Sequence, residues 1–222
     1  MGVAENLASV RERMEAACLR AVRSPDDVTL VGVSKGFPPA VVAEACAAGL
    51  SDLGENRIQE AAPKIEALAA MGVRPRWHLV GHLQSNKAKT AAGLFAIIHS
   101  VDSVRLAEAL SRRATEPLPV LLEVNVAGEP AKFGFATAAV PDALSSIASL
   151  PNLDVRGLMT VAPQASDPEA VRPVFRQLRE LRDDLGLQEL SMGMTDDFEV
   201  AIDEGATLVR VGRAIFGERA EA

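Results

Sequence analysis

Apolar and polar positions along the chain follow two different periods. From Val3 to Arg20 apolar residues recur every three or four positions between Glu and Arg, which predicts an amphipathic N-terminal helix. Beyond it, short β-rich runs alternate with longer helical stretches. The runs are VTLVGV, SDLGE, RWHLVG, FAIIHSV, PVLLEVNV, VRGLMTV, ELSMG and TLVRVG. Helical patterns fill Pro39 to Ala48, Arg57 to Ala70, Ser85 to Ala91, Ser103 to Ala114, Thr137 to Ser149, Pro168 to Leu185 and Asp196 to Glu204. Several open on Ser, Thr, Asp or Pro, and Gly49 and Gly205 follow two of them where helix C-termini favour glycine. Within the charged stretch from Asp167 to Gly186, Pro173 is placed to kink the first turns.

Strand–helix alternation of this kind predicts parallel strands joined by crossover helices. Eight such units close into a (β/α)8 TIM barrel, although an open doubly wound sheet gives a similar pattern. The barrel is the expectation taken here, as a single domain over residues 1–222 with an extra N-terminal helix. The length of 222 residues and a hydrophobic share of 48% suffice for one substantial core.

Charge and cysteine content narrow the function. The net charge is −7, and no run of lysines and arginines stands among aromatics, which argues against nucleic acid. No stretch approaches the roughly 20 apolar residues of a membrane span, and the N-terminus lacks the unbroken apolar core of a signal peptide. Cys18 and Cys46 sit in Ala-rich helical patterns without metal-ligand spacing, as small apolar residues in a reducing cytoplasm.

In a barrel, functional groups gather at the C-terminal strand ends. The first strand runs into Lys35 and the second into Glu55 and Asn56. The third carries His78 and runs on to Gly81 and His82; the fourth reaches Ser100 and Asp102, the fifth Asn125, the sixth Met159 and Thr160. Burying an ammonium is costly unless it is paired or neutral, and a neutral amine is a nucleophile; the alternative is that Lys35 points into water at the rim. Across the barrel lie Ser191-Met192-Gly193-Met194-Thr195 and Gly212-Arg213. Such loops bind phosphate through glycine backbone N–H groups, with Ser191, Thr195 and Arg213 as side-chain donors. The alternative is that Gly193 and Gly212 only make tight turns, while Asp196 and Asp197 cap the following helix and repel an anion. A lysine facing a phosphate site suggests a phosphorylated aldehyde held as a Schiff base. Alternation along TLVRVG aims Arg210 inward, either at such a ligand's ring or into an ion pair with Glu55 or Glu123.

The segments VSK, GENRIQE, WHLVGHLQSNKAK, HSVDS, VNVAGEPAKFGF, RGLMTVAP and LSMGMTDDFEVAIDEGATLVRVGRAIFGER together resemble the pyridoxal-phosphate homeostasis protein family. The resemblance runs from about Val28 to Arg219. It implies a barrel of the alanine racemase N-terminal-domain type that binds pyridoxal 5′-phosphate (PLP) through a Schiff base to Lys35. It further implies that Asn56, His78 and Met159 line the ring, that Ser191, Met194, Thr195, Gly212 and Arg213 surround the phosphate, and that Arg210 faces the ring nitrogen. The implied role is non-catalytic cofactor homeostasis by a monomer, with PLP-dependent apo-enzymes as partners where the cofactor is passed on. Many members carry Thr-Lys where this chain has Gly36-Phe37, and Ser or Thr at the position of Arg213.

Two enzyme readings compete. An amino-acid racemase on this scaffold uses a tyrosine from a second domain; the chain contains no tyrosine, and His78 is the only obvious base. A sugar-phosphate lyase or aldolase needs a lysine, an acid/base pair and a phosphate site, all nominally present.

Overall fold

Eight parallel strands pair in chain order and close on themselves in the computed structural model, which describes residues 2–218. They are β1 (Thr29–Val33), β2 (Asp52–Glu55), β3 (Arg76–Leu79), β4 (Ile97–Val101), β5 (Leu118–Asn125), β7 (Leu153–Met159), β8 (Glu189–Ser191) and β9 (Leu208–Val211). β9 pairs with β1, and β4 with β5, so the cycle has no free edge. The barrel prevails over the open sheet.

One further strand, β6 (Phe135–Ala136), is absent from the expected set. It hooks onto the end of β5 through Val124 and Asn125, and the Asn125 amide closes the intervening loop by donating to the Glu129 carbonyl at 2.8 Å. Two residues are too few to show a period. The sixth expected run is also displaced: its strand starts at Leu153 and ends at Met159, and Thr160 turns its hydroxyl back to the Val124 carbonyl at 2.7 Å.

The helices α1 (Val3–Arg20), α2 (Pro39–Ala47), α3 (Ile58–Ala70), α4 (Ala88–Leu94), α5 (Val104–Ser111), α6 (Val140–Ala148), α7 (Arg172–Asp184), α8 (Phe198–Asp203) and α9 (Arg213–Phe216) complete the described elements. α1 buries Leu7, Val10, Met14, Ala17 and Cys18 against the barrel and packs on α8, α9 and α2. Ser103 caps α5 by accepting the Leu106 N–H, and Gly49 and Gly205 follow the cap residues of α2 and α8 as expected. Pro173 does not kink a long helix. A separate 3-10 turn at Pro168–Val171 precedes α7, and Pro173 sits in the first turn of α7, where its missing N–H has no helical acceptor to lose.

The apolar core lies between the outer face of the strands and the helices. A much smaller apolar group fills part of the interior: Val31, Ile97, Leu121, Met159 and Leu208. Strand alternation turns Asp52, His78, His99, Glu123, Ser191 and Arg210 to that same inner side. The interior is therefore largely polar, and stability rests on the outer layer. Phe175 of α7, fully buried in that layer, should lose about 3–5 kcal/mol of stability on replacement by Ala, read as a lower urea midpoint at unchanged m-value.

Candidate functional site

At the C-terminal ends of the strands the barrel opens into a cavity of about 440 Å³. Seven of the ten expected site residues stand on its wall: Lys35, Asn56, Met194, Thr195, Arg210, Gly212 and Arg213. The other three are not on it. His78, Met159 and Ser191 are fully buried in the barrel interior, with His78 held at both ring nitrogens and the Ser191 hydroxyl lying between His99 and Arg210. The sequence places them on inward-facing strand positions, and only the closed barrel shows how deep each position lies.

Lys35 occupies the turn after β1, and its neighbours on both sides are tied to one buried cluster. Lys64 of α3, with only 4% of its side chain exposed, donates to the Ser34 carbonyl at 2.7 Å, to Glu55 at 2.5 Å and to Glu60 at 3.1 Å. The Ser34 hydroxyl donates to Glu55 at 2.6 Å, and the Gly36 N–H donates to Glu60. Burial pushes the Glu55 carboxyl up, while Lys64 and Ser34 oppose that by bonding to its charged form. A cation and two carboxylates thus fix the backbone that aims Lys35, and Glu55 is committed to Lys64 rather than to Arg210.

Arg210 forms the floor. Its guanidinium donates to Ser191 Oγ at 2.5 Å and to the Thr160 carbonyl at 2.8 Å, both neutral acceptors. Burial pulls its pKa down to about 10, against the negative charges of Glu123 and Asp197, so it is a cation at neutral pH. The expected alternative of an ion pair with Glu55 or Glu123 does not form; Glu123 acts from a distance.

The loops after β8 and β9 do not lie across the barrel from Lys35 as expected, because β9 pairs with β1 and β8 with β9; beside Arg210, Gly193 adopts φ +89°, and a Cβ there would meet the Ala201 Cβ at 2.6 Å, so the loop after β8 requires glycine. Asp197 caps the turn rather than the helix: it accepts the Met194 N–H at 2.6 Å and has no side-chain bond into α8. Asp196 pairs with Arg213 at 2.5 Å, which offsets its charge at the rim. Asn56 is positioned by Gly81, where a Cβ would lie 2.4 Å from the Asn56 carbonyl oxygen.

Sequence reasoning missed Val33, Phe37, Val80, Val161 and Gln164 on the wall. Val80 and Val161 follow β3 and β7 within two residues, so the rule that sites form at strand ends reaches them. Gln164 lies in a loop with no such signal. Among the described residues no group of three or more His, Cys, Asp or Glu is placed to hold a metal, and no helix is long and apolar enough to cross a membrane.

The profile of the alanine racemase N-terminal domain matches residues 3–220. The pyridoxal phosphate homeostasis protein of Aquifex aeolicus is 46% identical over 99% of both chains, and that of Escherichia coli K12 is 40% identical over 98% of this chain and 97% of its own. The chain belongs to the pyridoxal phosphate homeostasis protein family. Among solved structures, PipY of Synechococcus elongatus PCC7942 with PLP bound superposes with a TM-score of 0.84 at 39% identity, over 97% of this chain and 100% of that one.

Two outcomes test the electrostatics. Replacing Lys64 with Met leaves Glu55 buried without its cation, and thermal unfolding should show a loss of about 3–5 kcal/mol. Glu123 is the second case: burial pushes its carboxyl up to about 7, Asp102 adds to the rise, and Arg210 opposes it. Its Oε2 is buried without a hydrogen-bond partner. Because the folded value lies above the ordinary 4.5, the folded state keeps a proton that the unfolded chain has lost. The stabilisation is complete below pH 4.5 and is lost as pH rises through about 7. Glu123→Gln should therefore raise stability at pH 8 by roughly 1–3 kcal/mol and change it little at about pH 4.

Proposed function

We propose that this protein binds PLP in the strand-end cavity and holds it reversibly as a Schiff base on Lys35, serving vitamin B6 homeostasis without turnover of a substrate. The observation that carries the reading is that Lys35 and the buried Arg210 cation open onto one cavity of about 440 Å³, in a chain 39% identical to a relative solved with PLP bound. The residues present fit the group. Lys35 supplies an amine, Arg210 a cation on neutral acceptors, and Thr195, Gly212 and Arg213 a rim for a phosphate.

PLP supplies an aldehyde when bound. Lys35 would hold that aldehyde through its side-chain amine, in a linkage that water reverses. Asn56 and Val80, on the β2 and β3 side of the cavity wall, would border the bound cofactor, and His78 and Met159, buried in the interior, would support that wall. A cationic Arg210 beside the ring nitrogen would oppose ring protonation and so weaken the ring as an electron sink. That favours holding the cofactor over drawing carbanions from amino acids.

A racemase reading finds no support in the geometry. The chain has no tyrosine, and His78 is fully buried, off the cavity wall, with both ring nitrogens engaged by Asp52 and His99. We read the protein as a cytoplasmic monomer that buffers a reactive aldehyde and passes it to PLP-dependent apo-enzymes.

Adding PLP to the purified protein should give a yellow species. Borohydride should trap it, and peptide mass mapping should place the adduct on Lys35. Lys35→Ala should lose the trapped adduct while keeping a weaker, phosphate-anchored complex. Undiminished trapping in that variant would remove Lys35 from the role.

A further inference from the structure

The barrel interior holds a chain of side chains with a cation at one end and an anion at the other. Arg210 donates to Ser191 Oγ at 2.5 Å, Ser191 Oγ lies 2.8 Å from His99 Nδ1, His99 Nε2 lies 2.9 Å from His78 Nδ1, and His78 Nε2 lies 2.9 Å from Asp52 Oδ1. His78, His99 and Ser191 are fully buried. Arg210 is on the cavity wall, whereas Asp52 is the first residue of β2, at the opposite end of the strands. The chain therefore crosses the barrel.

Its direction follows from donor and acceptor counts. Asp52, kept ionised by His78, Ser51 and Arg76, only accepts, so His78 Nε2 must carry a hydrogen. Burial favours the neutral imidazole at both histidines. A neutral His78 then accepts at Nδ1 from His99 Nε2–H, and a neutral His99 accepts at Nδ1 from the Ser191 hydroxyl. Ser191 is left with lone pairs alone for Arg210, whose guanidinium can only donate. Every bond points from Arg210 toward Asp52, and aligned bonds of this kind polarise one another. The other charged groups bearing on the ends are Arg76, 3.9 Å from Asp52, and Glu123 and Asp197 near Arg210.

We propose that Asp52, His78, His99 and Ser191 are positioning residues which fix the Arg210 guanidinium in one orientation toward the cavity, so that a change at Asp52, two imidazoles away, alters the grip on PLP. Only the second half of this inference rests on the PLP reading.

The direction is tested on the protein without PLP by ¹⁵N NMR of its three histidines. His78 and His99 should each show a protonated Nε2 and a bare Nδ1, unchanged between about pH 6 and 8. A protonated Nδ1 on either, or titration in that range, would overturn the chain. The coupling is tested with PLP loaded, in Asp52→Leu, His99→Leu and His99→Gln. The two leucine variants should release PLP about tenfold faster and move its visible band. His99→Gln, whose amide offers a donor and an acceptor to the same neighbours, should restore both. Unchanged release and an unchanged band in both leucine variants would overturn the coupling, as would a glutamine variant no better than leucine. Should the wild type take up no PLP, the histidine pattern still decides the chain's direction, and that failure falls on the PLP reading instead.

Discussion

The constraint on which the structure turns is the burial of Arg210. A guanidinium removed from water must be held by acceptors fixed in advance, and the chain supplies neutral ones, Ser191 Oγ and the Thr160 carbonyl. Holding Ser191 requires His99, holding His99 requires His78, and His78 ends on Asp52. A parallel barrel is ordinarily filled by layers of branched apolar side chains. Here five apolar residues share the interior with that polar chain, which leaves the outer layer between strands and helices to supply most of the apolar burial.

Lys35 is governed by a separate arrangement. The Lys64 ammonium, with Glu55 and Glu60, anchors Ser34 and Gly36 on either side of it. Lys35 and Arg210, both on the cavity wall, therefore sit on supports built from side chains off that wall. Supports fixed in advance reduce the reorganisation needed on binding, and on the proposed reading that favours retention of PLP.

The barrel was legible because strand and helix periods differ and eight alternations leave few topologies. The place of Lys35, Asn56, Arg210 and Arg213 on the cavity wall was legible because each stands at or just beyond a strand's C-terminal end. Depth was not. His78, Met159 and Ser191 have inward positions, but which layer each occupies depends on the stagger between strands, and a one-residue difference separates wall from interior. Asp52 went unread for the same reason: at the start of a four-residue strand it resembles a cap, and its partner is a histidine 26 positions away. Pro173 and the strand β6 were misjudged or missed because each depends on a boundary of one or two residues, where local pattern carries least information.

The most direct measurement of the central claim is a crystal structure of the protein soaked with PLP. The account predicts continuous density from Lys35 Nζ to the cofactor, the phosphate between the loops at Thr195 and Gly212, and the Arg210 guanidinium beside the ring nitrogen. PLP bound elsewhere, or seated in the cavity with the ring nitrogen turned away from Arg210, would contradict it.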